Sequence, residues 1–265
     1  MGPASFALAR RHRSLRWRTA GAGAWLLLLL GLPTLAAEPE TLVGDPWERM
    51  NRGTFEFNEK LDQYLLEPAG EGWDFLMPTV GQECLSHFFA NLVMPVRVAN
   101  DLLQLKPIQA IHDVFRLFAN TALGLGGCFD VATRGGIPRY GEDFGLTLAR
   151  WGVPAGPYLV LPFFGPSSPR DAFGLLVDSF GTVQAYFLSF PILAGAFVTN
   201  AVNERALNLE EVAAERASAL DFYSAVRGAY VQFRAGKVRG SDERGAEDAA
   251  LDDDLYYFDE EEDDE

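Results

Sequence analysis

The chain has 265 residues, 48% of them hydrophobic, and a formal net charge of −15. That length and apolar content supply one sizeable core or two small ones, while the acidity excludes binding to nucleic acid or anionic head groups through bulk charge. The charge is uneven, since fourteen Asp/Glu stand against a single Arg between Ser241 and Glu265. This is the composition of a solvated extension rather than a packed segment.

Taken in order, the chain opens with a targeting pattern. Arg10, Arg11, Arg13, Arg16 and Arg18 precede the apolar stretch Ala20–Leu32, and Thr34-Leu35-Ala36 offers small residues for cleavage. Residues 1–36 therefore read as an export signal, too short in its apolar part for a typical membrane span. A linker, 37–44, follows. Asp45-Pro46-Trp47-Glu48 then carries the signals of a helix start. Trp47, Met50, Phe57, Leu61, Tyr64 and Leu65 recur at helical spacing, and Pro68 is expected to end that helix. Further helices are expected over Val80–Leu92, Val96–Leu105 and from Pro107 to the glycines at 124–127. On the last of these, Ile108, Ile111, Phe115 and Phe118 share one face, and Arg116 and Asn120 lie four apart and form one polar patch.

From Gly141 to Asp171, glycines and prolines alternate closely, which rules out a long helix. Two apolar pieces, Phe144–Trp151 and Tyr158–Phe164, read as the arms of an irregular hairpin, with Pro162 confining the second arm to an edge. Tyr158, Leu159, Val160, Leu161, Phe163 and Phe164 leave this arm apolar on both faces. Two readings compete: a buried loop in an ordinary core, or a flap bordering lipid. Ser179–Val202 carries no formal charge but is broken by Gly181, Pro191 and Gly195, so two packed or flat helices fit better than one spanning helix. A final helix is expected over Leu207–Gln232. The two cysteines, Cys84 and Cys128, either pair in an oxidising compartment or remain as buried thiols.

Motifs for chemistry are sparse. Gly165-Pro166-Ser167-Ser168-Pro169 lacks the second glycine of a nucleophile elbow, and His112 and Asp113 are neighbours that do not face each other on a helix. Gly124-Leu125-Gly126-Gly127 follows a helix and has no lysine, so it is not a phosphate loop. Asp143 and Asp171 sit in turns, where capping explains them. No cofactor or metal is expected, since there is no cysteine–histidine cluster of ligand spacing.

Several blocks, in order, resemble the MlaA/VacJ family: Asp45-Pro46-Trp47-Glu48-Arg49-Met50-Asn51-Arg52 with Phe57-Asn58; Phe88-Phe89-Ala90-Asn91-Leu92; Asn100-Asp101-Leu102-Leu103-Gln104; Asn120 to Gly127; Glu142-Asp143-Phe144-Gly145-Leu146; Trp151-Gly152-Val153; and Gly156-Pro157-Tyr158 through Leu161-Pro162 to Arg170-Asp171. The resemblance covers roughly Asp45 to Gln232. It implies a mainly α fold at residues 45–236, with short interfacial helices ringing an amphipathic channel beside an irregular apolar hairpin, and an acidic tail at 237–265.

It also implies a non-enzymatic role in the bacterial outer membrane, on its periplasmic-leaflet side. There the family removes phospholipid misplaced in the outer leaflet, with a trimeric porin and a periplasmic lipid carrier as partners. On that basis Phe57, Asn58, Arg116 and Asn120 are candidates for the lipid path, and Gly152, Gly156, Tyr158, Leu161 and Phe163 for the flap and its hinge. Two departures stand out. No cysteine follows the signal core, although family members are usually lipoproteins, and Pro154 replaces the middle glycine of the family's flap pattern. The rival readings are an envelope structural or adhesion protein that moves no lipid, and a lipid hydrolase using Ser167.

Overall fold

The computed structural model describes residues 45–240; the expected signal, linker and most of the acidic tail lie outside them. Helix α1 (Glu48–Leu61) runs through a π-helical turn (Asp62–Leu66) directly into α2 (Glu67–Leu76). The expected stop at Pro68 does not occur. The π-helical turn changes the hydrogen-bond register, and Pro68 falls in the first turn of α2, where its missing N–H costs nothing. The same turn gathers acids around two arginines. Arg216 reaches Glu59 at 3.0 Å, Asp62 at 3.0 Å and Glu67 at 3.1 Å, and Arg205 reaches Asp62 at 2.8 Å.

The chain continues through α3 (Thr79–Leu92), α4 (Met94–Leu103), α5 (Pro107–Ala122) and the short α6 (Val131–Arg134). Pro95, Pro107, Pro169 and Pro191, like Pro68, each open a helix rather than break one. The first expected hairpin arm is a helix instead, α7 (Phe144–Arg150), capped by Asp143 accepting from the Leu146 amide at 2.9 Å. It ends at Trp151 and Gly152, the latter at φ +85°.

The hairpin itself is smaller than expected. Strands β1 (Leu159–Leu161) and β2 (Gly165–Ser167) pair antiparallel, with Leu159 opposite Ser167 and Leu161 opposite Gly165. Pro162 lies in the connecting turn rather than in a strand. After it come α8 (Pro169–Gly181), α9 (Gln184–Phe187), α10 (Phe190–Leu207), α11 (Leu209–Ser218) and α12 (222–240). The expected last helix is therefore two, broken at 219–221, and α12 extends past the anticipated boundary at 236.

Helix packing uses small residues where backbones cross. A Cβ on Gly174 of α8 would lie 2.3 Å from the Gly145 amide nitrogen of α7, so only glycine admits this approach. Gly70 of α2 faces the Ala206 backbone of α10 in the same way, at 3.3 Å. Cys84 and Cys128 form a disulfide that ties α3 to the glycine-rich segment after α5. The apolar core is small: Tyr158, Val160 and Tyr223 are buried together, with Phe55 and Tyr230 against them. No helix among the described residues is long and apolar enough to cross a membrane.

Two stability tests follow from this packing. Replacing both cysteines by serine opens a loop of 44 residues and is expected to cost about 2–4 kcal/mol, read as a lower melting temperature that reductant no longer shifts. Gly174→Ala is expected to destabilise by about 1–3 kcal/mol, because the colliding atoms are backbone and cannot rotate away.

Candidate functional site

Helix α5 shows the organising feature of the molecule. Its inward residues are Gln109, Asp113, Arg116 and Asn120, all buried, whereas Ile111, Phe115 and Phe118 point outward, with Phe115 60% and Phe118 68% exposed. The helix is amphipathic, but the polar face is the inner one. The pattern is general: the buried side chains are polar more often than apolar, and large apolar residues such as Tyr64, Phe75, Phe187 and Phe190 are exposed. The apolar stripe on α1 and the π-helical turn after it likewise turns Met50, Phe57, Tyr64 and Leu65 outward.

Most buried polar groups are paired, and here many of them form continuous chains. Lys106, fully buried, stands 3.5 Å from the Glu142 carboxylate and donates to Gln104 Oε1 at 2.6 Å. Gln104 donates to Thr147 Oγ1 at 3.1 Å, and Thr147 donates to Asn100 Oδ1 at 2.9 Å. Asn100 donates to Asp178 Oδ1 at 2.8 Å, and the Phe144 amide closes the series on Asp178 Oδ2 at 2.9 Å. One series thus joins α4, the start of α5, α7 and α8.

Beside it, Asp101 and Asp113 are buried with carboxylates that find no hydrogen-bond partner among the described residues. Burial, reinforced by the negative charges of Asp113 and Glu142, pushes Asp101 up to about 8. Burial raises Asp113 as well and brings Asp178 to about 6.

A second polar group surrounds Arg116. Its Nη2 donates to Asp130 Oδ1 at 2.9 Å and to Thr133 Oγ1 at 3.0 Å, and its Nη1 donates to the Ile137 carbonyl at 2.8 Å. Asn120 donates to Asp130 Oδ1 at 3.1 Å and accepts from the Ala132 amide at 2.9 Å. Burial opposes ionisation of Asp130, but its bonds to Thr133 and the Arg116 charge outweigh that and hold the carboxyl well below the usual range. Arg116 and Asn120, expected to share a patch, do so, and what they grip is the 130–138 segment. A third group centres on Arg234 of α12, which meets Asp143 and Asp171 at 2.7 Å each, while Tyr230 donates to Asp171 at 2.6 Å.

The hairpin is held by two asparagines of α1. Asn51 donates to the Tyr158 carbonyl at 2.9 Å and accepts from the Val160 amide at 2.9 Å. Asn58, two turns further on, donates to the Leu161 carbonyl and accepts from the Phe163 amide, each at 2.9 Å. A primary amide carries a donor and an acceptor as a peptide does, so the pair closes the free edge of β1 as a neighbouring strand would. Phe57 stands edge-on to Phe163, ring centroids 5.4 Å apart, and Phe163 is itself at φ +67°.

Tyr158 is buried among Tyr223 and Tyr230, and Leu161 is half-buried. The buried-loop reading holds for the hairpin's base only: Tyr158 and Val160 are core, whereas the Phe163–Phe164 tip is exposed. Gly152 and Gly156, at φ +85° and +77°, bracket the segment leading into the hairpin. Of the candidate residues, Phe57 and Asn58 meet Leu161 and Phe163, whereas Arg116 and Asn120 belong to the separate buried group at Asp130.

Asn51 went unrecognised as a contact residue. Its signal is the seven-residue spacing from Asn58, which places both amides on one face of α1. Ser167 is buried in β2 and donates to the Ser168 carbonyl at 3.3 Å, while His112 Nδ1 lies 3.1 Å from the Tyr140 hydroxyl. Among the described residues no group of His, Cys, Asp and Glu could hold a metal ion.

Short helices with polar interiors and apolar exteriors, and an apolar hairpin latched to the first of them, define a class of helical protein built for an apolar surrounding. Residues 43–237 match the family model described as MlaA lipoprotein. The chain belongs to the MlaA family.

It is 34% identical over 220 residues to the intermembrane phospholipid transport system lipoprotein MlaA of Escherichia coli K12, covering 80% of this chain and 86% of that one. The Haemophilus influenzae protein of the same name is 35% identical over 203 residues, covering 73% and 79%. A solved chain reported as the structural basis for maintenance of bacterial outer membrane lipid asymmetry superposes with a TM-score of 0.65 at 33% identity. It spans 74% of this chain and 99% of its own. The expectation of a chain without the lipoprotein cysteine finds no support here. The family is described as a lipoprotein, and the stretch after the signal core lies outside residues 45–240.

Asn51→Ala is expected to destabilise by about 1–3 kcal/mol, since it strands a buried carbonyl and amide. Hydrogen exchange at the Val160 amide, faster than in the native chain, reports the loss directly. The pH dependence has a definite sign. Asp101, Asp113 and Asp178 hold their protons more tightly folded than unfolded, so their contribution is complete below about pH 4 and is lost as pH rises, for Asp101 through about 8. Asp101→Asn should therefore match the native chain in denaturant midpoint near pH 4 and exceed it at pH 9.

Proposed function

We propose that this chain removes misplaced phospholipid from the outer leaflet of the bacterial outer membrane and passes it inward along an amphipathic path, without catalysis. The observation that carries the reading is the inverted polarity of α1 and α5, with aromatic side chains outside and buried polar groups inside. An apolar exterior of this extent suits hydrocarbon contact, and a polar interior suits a head group that must stay solvated while its chains remain in fat. The names of the bacterial relatives point the same way.

In this reading the helices ring the path and sit on the periplasmic-leaflet side. A trimeric porin accepts part of the apolar surface, and a periplasmic carrier receives the lipid. Phe57 and Asn58 border the path at the hairpin, where Leu161 and Phe163 form the flap over it and Tyr158 its fixed base. Gly152 and Gly156 are its hinge, because their positive φ allows backbone rotation that residues with a Cβ resist. Arg116 and Asn120 contribute from behind, by holding the 130–138 segment that walls the polar interior. Movement down a gradient of misplaced lipid needs no nucleotide.

Deleting the gene is expected to raise the phospholipid accessible to externally added phospholipase on intact cells and to sensitise them to detergent with chelator. A deletion strain with unchanged surface phospholipid and an intact barrier would overturn the proposal, and would favour a structural role in the envelope. In complementation, Gly152→Val is expected to lower lipid clearance at normal protein levels. No atom lies within 4 Å of a Cβ at that position, so the backbone conformation alone is strained.

A further inference from the structure

Helices α4 and α5 pack against each other, and their buried side chains leave polar atoms without hydrogen-bond partners among the described residues. These atoms are both carboxylate oxygens of Asp101 and of Asp113, both ends of the Gln109 amide, and Arg116 Nε. None of the four residues is more than 1% exposed. Gln109, Asp113 and Arg116 stand four and three residues apart, on one face of α5. A buried ionised carboxylate without a donor is among the costliest groups a fold can carry, and this interior holds two on adjoining helices.

The charges around them are engaged elsewhere. Lys106, in the turn between α4 and α5, serves Glu142 and Gln104. Arg116 serves Asp130, Thr133 and the Ile137 carbonyl. Arg97 of α4 acts on both acids through its charge, Arg139 acts on Asp113, and Glu142 before α7 repels both. From α8 comes a further acid, Asp178, held by Asn100 and the Phe144 amide. No group among them donates a hydrogen bond to either carboxyl.

Protonation resolves the arrangement. A protonated carboxyl is donor and acceptor at once, so a single proton removes one buried charge and supplies the missing donor. Interacting acids then titrate as a pair. We infer that Asp101 and Asp113 hold one proton between them in the folded protein, and that its release switches the α4–α5 interior from dry to hydrated. Burial, reinforced by the charges of Asp113 and Glu142, pushes Asp101 up to about 8. Burial also raises Asp113, although Arg97 and Arg116 oppose it. Once both acids are charged, they need solvent. Water entering there meets the unfilled hydrogen bonds of Gln109 and Arg116 Nε, so it finds the several polar partners that a buried water requires. Below the transition the two helices are closed on each other, and above it α5 loosens. On the transport reading above, the hydrated state is the one that solvates a passing head group; the switch itself does not depend on that reading.

The test uses the full-length mature protein in a non-ionic detergent, with its aspartate carboxyls labelled with carbon-13 and titrated by NMR from about pH 4 to 10. One carboxyl is expected to titrate near 8 and to vanish from the spectrum in Asp101→Asn. Asp113→Asn, which removes the neighbouring charge, is expected to move that midpoint down by about one pH unit or more. Hydrogen exchange over residues 109–116, corrected for its intrinsic pH dependence, is expected to quicken at least about tenfold between pH 6.5 and 9 in the native protein. In Asp101→Asn with Asp113→Asn it is expected to stay slow at both.

Asparagine keeps the shape of aspartate, and matching melting temperatures at pH 6.5 verify the fold of the variants; the titration and exchange of the native protein decide even without them. No aspartate titrating above about pH 7 overturns the shared proton. A midpoint near 8 that Asp113→Asn leaves in place overturns the pairing. A titration near 8 with no change in exchange overturns the hydration switch, and none of these outcomes touches the transport reading.

Discussion

The interior of this protein is held by hydrogen bonds more than by grease, and the series from Glu142 through Lys106, Gln104, Thr147 and Asn100 to Asp178 is its central constraint. Each member is buried, or nearly so, and gives its partner the bond that water would otherwise supply. Breaking any one bond strands a neighbour, at about 1–3 kcal/mol for each unpaired group. The series therefore behaves as a unit, and it fixes four helices relative to one another. Arg116 with Asp130, and Arg234 with Asp143 and Asp171, do the same for the 130–138 segment and for α12. Gly145 and Gly174 let α7 and α8 approach closely enough for Asp178 to reach the Phe144 amide.

The consequence lies on the outside. A helix whose polar face is spent inward has only its apolar face left to show. For α1, α5 and the segments around Phe187 and Phe190 that face is aromatic and exposed. In water, such area is unfavourable at about 25 cal/mol per Å², so the fold is complete only against an apolar medium or partner. Short helices, several opened by a proline, suit that setting. None of those described is long and apolar enough to cross a membrane.

Much of this was readable from sequence, and the failures are instructive. Helical periodicity located α3, α4 and α5, and the glycines and prolines between 141 and 171 with the apolar run Tyr158–Phe164 located the hairpin region. What periodicity does not carry is direction. The stripe Ile111, Phe115 and Phe118 looks the same whether it faces a core or a lipid, and only the burial of Gln109, Asp113, Arg116 and Asn120 on the opposite face decides. Pro68 misled because a π-helical turn is invisible to a 3.6-residue rule. Phe144–Trp151 misled because its composition is β-prone, whereas the Asp143 cap and the positive φ of Gly152 frame a helix of two turns. The pairing of Cys84 with Cys128 was undecidable without knowing that α3 packs beside the glycines after α5. Asn51 was missed because its role lies in reciprocal bonds to a segment 107 residues away.

The two asparagine latches on α1 are alike in chemistry but unequal in strength. Asn51 is fully buried, and its bonds to Tyr158 and Val160 lie beneath the aromatic cluster of Tyr223 and Tyr230. Asn58 is only half-buried, and its bond from the Phe163 amide is exposed to solvent. Water competes for the second pair and not for the first, so the cost of opening rises steeply from the tip of the hairpin to its base. The tip also carries the left-handed backbone at Phe163, a strain that release would relieve. The Leu161–Phe164 tip is held by one exposed bond, one part-buried bond and one aromatic contact with Phe57, whereas the register of β1 is pinned at Val160 by Asn51. The sequence that makes a buried base and an exposed tip is one asparagine repeated after seven residues, with the burial of each copy setting how far water competes for its bonds.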